Sequence, residues 1–283
     1  MPTAKIIDGS KIAKSILEDI KHKIKNMKEK PGLALVMVGN NPASEIYVNF
    51  KEKDAKEAGF YCERYNLDKE ISEIDLLNLL NDLNQKINIH GILVQLPLPK
   101  QIDEKLITNS ILPHKDVDGF TPLSLGNLMT ENTMMAPATA RAVVYLIEST
   151  GIKIEGKNAV VVGRSSIVGK PTAMMLLEKN ATVTMCHSKT KNLAEHSKMA
   201  DILVVAAGKP QFIKKHMVKE GAVVIDVGIN RIGSKLTGDV DFENVKDVAG
   251  FITPVPGGVG PMTRAMLMQN TLKAMELSKK MLK

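Results

Sequence analysis

Apolar residues open the chain at helical spacing: Ile12, Ile16, Ile20, Ile24 and Met27 fall on one helix face, with Ser10 placed to cap it. Pro31-Gly32 ends that pattern. The run Leu33-Ala-Leu-Val-Met-Val38 is apolar on both faces, as a strand in a doubly covered parallel sheet must be. A helix is expected over 44–58, ended by Gly59, then a strand over 60–67 and an amphipathic helix over 72–86. Gly91-Ile-Leu-Val-Gln-Leu96 predicts a second buried strand, interrupted by one Gln and closed by Pro97-Leu-Pro99. After a polar stretch near 130–133, a helix over 139–149 starts a second alternation. Strands are expected at 159–162, 181–185, 202–206 and 222–227. A helix follows the first of them, to about Lys179, and a long helix closes the chain from Pro261 to about Met281, with Pro in its first turn. Strands alternating with helices imply βαβ units. The expectation is an α/β protein of two lobes around a cleft, the second a Rossmann-like, doubly wound parallel sheet, with the boundary near residue 137.

Composition narrows the classes. With 283 residues, 44% of them hydrophobic, the chain can build one large or two medium cores. The net charge of +7 comes from scattered lysines rather than a basic block interleaved with aromatics. That argues against a nucleic-acid partner and leaves room for anionic small molecules. Cys62 and Cys186 stand far apart, outside any CxxC pair, so neither a disulfide framework nor a zinc site is expected, in keeping with a reducing cytoplasm. No apolar run approaches the ~20 residues of a membrane span, and no signal core follows Met1.

Two regions carry chemistry. The strand at 159–162 leads through Gly163-Arg-Ser-Ser-Ile-Val-Gly169 into a helix, the context of a dinucleotide site. Gly163 suits the tight turn, and N–H groups at the helix start can cradle a pyrophosphate. Ser165 and Val168 stand where the usual second and third glycines would be, with Gly169 one residue later. NAD sites place an acid at the end of the next strand; here that region is Cys186-His-Ser-Lys-Thr190. Arg164 and Ser188, with Lys189 as a further cation, can instead hold a 2′-phosphate, so NADP is favoured over NAD. In the first lobe, Tyr47 and Lys51 are neighbours on one helix face. Gln95 lies near the carboxyl end of a buried strand, where open α/β sheets place ligands. Asp116 and Asp118 share a loop ending in Gly119, too poor in oxygen ligands for a metal site. Thr253-Pro-Val-Pro-Gly-Gly-Val-Gly-Pro-Met-Thr263 is a rigid loop whose backbone can approach a flat ligand.

Together these segments resemble the bifunctional methylenetetrahydrofolate dehydrogenase/methenyltetrahydrofolate cyclohydrolase family, from Ile6-Ile-Asp-Gly9 to the final helix. The resemblance rests on Val38-Gly-Asn-Asn-Pro-Ala-Ser44 with Tyr47 and Lys51, Gly91 to Pro99, Lys115 to Phe120, Val162 to Pro171, Val183 to Ser188, Gly221 to Asn230, and Pro254 to Thr263. It implies oxidation of 5,10-methylenetetrahydrofolate to the methenyl form with NADP, then hydrolysis to 10-formyltetrahydrofolate. The catalytic Lys falls on Lys51, the orienting Tyr on Tyr47, the Lys-tuning Gln on Gln95 and the pterin-binding Asp on Asp118. The NADP loop falls on Gly163, Arg164 and Ser165, with Ser188 at the 2′-phosphate and Ile229 near the cofactor. Pro256, Gly257 and Gly258 line the folate. A homodimer is implied. So is a catalytic domain over 1–137 completed by 262–283, with an NADP domain over 138–261. The sequence departs from the family at Pro137-Ala-Thr-Ala-Arg-Ala142. Ala138, Ala140 and Ala142 replace the usual Cys, Pro and Gly, so no thiol acts there. Two other readings are a shikimate-type NADP dehydrogenase and a folate- and NADP-binding protein without turnover.

Overall fold

The structure, a computed structural model, describes residues 3–131, 134–233 and 235–281; Asn132 and Thr133 of the expected polar stretch lie outside them. The chain forms two compact units, each assembled from separate segments: Lys14–Ala138 with Arg264–Lys283, and Met1–Ala13 with Thr139–Thr263. The first thirteen residues, expected in the first lobe, group with the second because Lys5–Ile6 is a strand that pairs in parallel with Phe251–Ile252.

The first unit carries a three-stranded parallel sheet in the order Tyr61–Leu67, Gly32–Val38, Gly91–Val94. The middle strand is buried throughout, as its unbroken apolar run requires. The edge strand Tyr61–Leu67 is polar and partly exposed. Leu76, Leu80 and Leu83 of helix Glu73–Gln85 pack on Ala34, Val36, Ile92 and Val94. Ser72 caps that helix, accepting from Asp75 N at 3.1 Å. At the other end, buried Lys115 donates to the carbonyls of Leu83 and Lys86 at 3.1 and 2.7 Å. A cation suits a helix C-terminus, though burial pulls this ammonium down to about 8.

Buried His90 fixes the entry of the middle strand. Its Nδ1 accepts from Gly32 N at 2.9 Å, and its Nε2 faces Glu29 at 3.6 Å. Nδ1 must be unprotonated to accept, and burial accordingly lowers the imidazole pKa. His90→Ala is expected to cost about 1–3 kcal/mol by stranding a buried N–H. Because the folded pKa lies below the unfolded one, the unfolded chain takes up the proton first as pH falls. His90 therefore contributes full stability above about pH 6.5 and loses it progressively below. Urea midpoints at pH 7.5 and 5.5 test this: the drop should shrink in His90→Ala.

The second unit carries a six-stranded parallel sheet in the order Lys5–Ile6, Phe251–Ile252, Val223–Asp226, Ile202–Val205, Asn158–Val162, Thr182–Cys186. Val160, Val162, Leu203, Val205 and Val224 form one core face. The strand order reverses between Asn158–Val162 and Ile202–Val205, and such a switch point is where open α/β sheets bind ligands. An antiparallel pair, Asn230–Ile232 with Lys235–Thr237, stands outside this sheet.

Candidate active site

In the first unit, helix Pro42–Glu57 presents Tyr47 and Lys51 one turn apart. Lys51 Nζ donates to Gln95 Oε1 at 3.0 Å. The Gln95 amide is oriented by its other end: Nε2 donates to Leu96 O at 2.8 Å, so the oxygen is the atom left for Lys51. Burial lowers the Lys51 pKa; the Asp118 charge opposes that and the Arg264 charge adds to it. Burial raises the Asp118 pKa, against the opposing charge of Lys51. Burial also raises that of Tyr47, against Arg264. The structure thus joins Lys51 to Gln95 by a hydrogen bond and to Asp118 by charge, and the Arg264 charge acts on both Lys51 and Tyr47.

The two loop aspartates separate by their bonds. Asp116 is saturated: Oδ1 accepts from Gly119 N and Phe120 N at 2.9 and 3.1 Å, and Oδ2 from Thr121 N and Ser124 Oγ, both at 2.8 Å. It builds the turn, in which Gly119 has a φ of 73°. Among the described residues the Asp118 carboxylate makes no such bonds and faces Lys51. Asn270 of helix Val259–Met281 pins the loop by donating to Val117 O and Ala136 O at 2.8 and 3.0 Å. No group of His, Cys, Asp and Glu suited to a metal ion occurs among the described residues.

Sequence reasoning missed a cluster beside Lys51. Arg264 Nε donates to Asp54 Oδ2 at 2.6 Å, and the guanidinium lies 4.9 Å from the centre of the Phe50 ring. The i,i+4 pair Phe50–Asp54 was a visible signal; Arg264 as its partner was not.

In the second unit, Gly163 follows strand Asn158–Val162 at a φ of 140°. A Cβ there would lie 2.3 Å from Ala206 O, at the switch point. One on Gly169 would lie 2.3 Å from Gly163 O. Gly169 therefore provides the close helix packing usually given by the third glycine, one residue later than the standard spacing. Ser165 Oγ accepts from Val168 N and Gly169 N at 3.2 and 3.3 Å, at the start of helix Gly169–Glu178. Arg164 and Ser188 are exposed, each two residues past the paired ends Val162 and Cys186. Lys189 and Ile229 are exposed as well. The backbone cradle and uncovered polar groups fit a phosphorylated dinucleotide.

A second missed feature supports this face. Asp226, at the end of its strand, accepts from Gly228 N, Asp239 N and Val240 N at 3.0, 2.9 and 2.9 Å. Burial lifts its pKa to about 7 against these three donors. Asp239 in turn accepts from Ala207 N, Gly208 N and Lys209 N at 2.6, 2.8 and 2.9 Å, and from Asn230 Nδ2 at 2.8 Å. Glycines beside both acids, Gly228 and Gly238, were the available signal: a Cβ at either would strike the opposite carboxylate. The loop at Pro256 packs within the same unit, where Ser10 N donates to Gly257 O at 3.0 Å and Gly257 has a φ of 108°. Ala138, Ala140 and Ala142 are all buried, and Thr263 Oγ1 donates to the retained Thr139 Oγ1 at 3.5 Å.

Fold and site together define an α/β dinucleotide-binding protein whose other unit holds a desolvated lysine, Lys51. Residues 7–118 match the catalytic domain of tetrahydrofolate dehydrogenase/cyclohydrolase, and residues 137–279 match its NAD(P)-binding domain. A bifunctional protein FolD of Moorella thermoacetica is 53% identical, covering 96% of this chain and 98% of its own length. The crystal structure of the bifunctional FolD methylenetetrahydrofolate dehydrogenase/cyclohydrolase of Campylobacter jejuni superposes with a TM-score of 0.94 at 46% identity, covering 97% of this chain and 99% of that one. That of Trypanosoma brucei FolD, complexed with NADP cofactor and inhibitor, gives 0.94 at 38% identity, covering 99% and 100%. The chain belongs to the tetrahydrofolate dehydrogenase/cyclohydrolase family, and it is a bifunctional methylenetetrahydrofolate dehydrogenase and methenyltetrahydrofolate cyclohydrolase. That membership sets aside the shikimate-type reading.

Proposed function

We propose that one folate site serves both reactions, with Lys51 as the proton-transfer group, Gln95 holding it, Tyr47 orienting the substrate and Asp118 binding the pterin. The observation that carries this is the Lys51–Gln95 bond of 3.0 Å in a desolvated position facing Asp118. NADP supplies the hydride acceptor. Loss of hydride from the methylene carbon leaves a cation shared by two nitrogens, so the oxidation asks the chain mainly for positioning. Hydrolysis is more demanding: water must add to that cation and protons must move before the ring opens. Lowering a lysine's pKa enlarges the neutral fraction that can take a proton at a given pH.

Gly163 and Ser165 line the pyrophosphate turn, Ile229 lies near the cofactor, and Arg164 and Ser188 take the 2′-phosphate. Arg164→Ala is then expected to raise KM for NADP by about tenfold and that for NAD much less. An equal rise for both would overturn the assignment. The joint reading is tested by supplying methylenetetrahydrofolate with NADP, then with NAD, and following absorbance of the methenyl intermediate. It should form and decay with NADP; binding of both ligands without turnover would sink it. The enzyme acts as a homodimer in the cytoplasm. The family resemblance supports the dimer. The setting is supported by two free cysteines, Cys62 and Cys186, and by the absence among described residues of a helix long and apolar enough to cross a membrane.

A further inference from the structure

Helix Pro42–Glu57 carries more than Tyr47 and Lys51 on this side. Phe50, three residues from Tyr47, is 45% exposed, and its ring lies against a charged group. That group is the guanidinium of Arg264, 4.9 Å from the ring centre, a cation–π distance. Asp54, one turn further on, fixes the guanidinium through Nε at 2.6 Å, and the pair is mostly screened from solvent, with side chains 20% and 11% exposed. Among the described residues, Nη1 and Nη2 of Arg264 meet no acceptor. Arg264 is therefore held at one edge and stacked on one face, with its forked end uncommitted. That fork matches a carboxylate in geometry and charge. Its charge is felt at both Tyr47 and Lys51, which places it beside the proposed folate site.

A folate has three parts in line: a pterin, an aminobenzoyl ring and a glutamyl tail with two carboxylates. The site at Lys51, Gln95 and Asp118 accounts for the pterin, and Tyr47 for the ring. The tail has no partner yet. We propose that Arg264, stacked on Phe50 and held by Asp54, is a carboxylate subsite that takes the glutamyl tail of the folate substrate. This rests on reading Lys51, Gln95 and Asp118 as the pterin end. The Asp54 pair keeps Arg264 electrically balanced before substrate arrives and aims its fork. Phe50 adds an apolar wall for the methylene groups of the tail.

The test pairs a protein change with a substrate change. 5,10-Methylenetetrahydrofolate is compared with 5,10-methylenetetrahydropteroate, which lacks the glutamyl residue. Wild-type enzyme should show a KM about tenfold higher for the truncated substrate. Arg264→Met should raise KM for the full substrate to about that level and leave the truncated one nearly unaffected. Arg264→Lys, which keeps charge but loses the fork, should lie between. Where Asp54 stranded without its partner prevents folding, the double variant Asp54→Ala/Arg264→Met removes both charges together and gives the same readout. Equal KM increases for both substrates would overturn the proposal. So would an unchanged KM with a shifted pH profile of hydrolysis, which would make Arg264 a tuner of Lys51 instead. Lys51→Met separates the two readings, because its loss of hydrolysis does not depend on the tail.

Discussion

Lys51→Met is expected to lower the rate of methenyltetrahydrofolate hydrolysis by about 10²–10⁴-fold, so that the methenyl intermediate accumulates while its formation continues. Methionine keeps the length and apolar stem of the side chain and removes the ammonium, so packing around the helix changes little. What it removes is specific. Gln95 has its Nε2 committed to Leu96 O, so its Oε1 is left without the donor at 3.0 Å. Asp118 loses the charge that opposes its desolvation. Oxidation, which leans on positioning, should fall less than hydrolysis. The pH dependence has a definite sign. On the proposed mechanism the neutral amine is the active form, so wild-type hydrolysis should rise with pH through the Lys51 pKa, and burial sets that rise below the range of an ordinary lysine. Following the methenyl absorbance in the variant checks both points, and a variant that hydrolyses at the normal rate would remove Lys51 from the mechanism.

The second large effect is on stability. Asp239→Ala should cost about 3–4 kcal/mol, lowering Tm by about 10 °C. Four donors lose their acceptor at once: the N–H groups of Ala207, Gly208 and Lys209, and Nδ2 of Asn230. Asp239 is itself fully buried, so water cannot replace it. Three of those donors form the loop directly after strand Ile202–Val205, at the switch point, so NADP affinity should fall with stability. Thermal melting with and without NADP measures both. A melting point within 2–3 °C of wild type, which corresponds to about 1 kcal/mol, would show that the loop finds other partners.

Much of the fold was legible because long buried strands leave few options. Leu33 to Val38 is apolar on both faces, and only a covered parallel sheet accommodates that. The elements that escaped are short. Lys5–Ile6 and Phe251–Ile252 have two residues each, too few for any periodicity, yet they move the first thirteen residues into the other unit. Helix Pro122–Met129 has eight residues interrupted by Gly126. The site was half legible. The i,i+4 spacing of Tyr47 and Lys51 is local, and so is the glycine turn at Gly163. Which aspartate of Lys115-Asp-Val-Asp-Gly119 is scaffold and which is free is decided by hydrogen bonds to Phe120, Thr121 and Ser124, and the sequence leaves both open. Arg264 and Asp54 lie 210 positions apart, and no pattern along the chain joins them.

The pairing of Lys5–Ile6 with Phe251–Ile252 and the grip of Asn270 on Val117 and Ala136 bear on how the protein is made. Lys5–Ile6 leaves the ribosome long before its partner strand Phe251–Ile252 does. The Val117 loop likewise waits for the last helix. Thr139–Thr263 carries five of the six strands of its sheet and lacks only Lys5–Ile6, which is already available. The lysine-bearing unit has all three strands of its sheet by Val94 but waits for the helical residues from Arg264 onward. A chain stalled before Arg264 would therefore present a near-finished nucleotide-binding sheet and a second unit still lacking its last helix, a species for chaperones or proteases to sort.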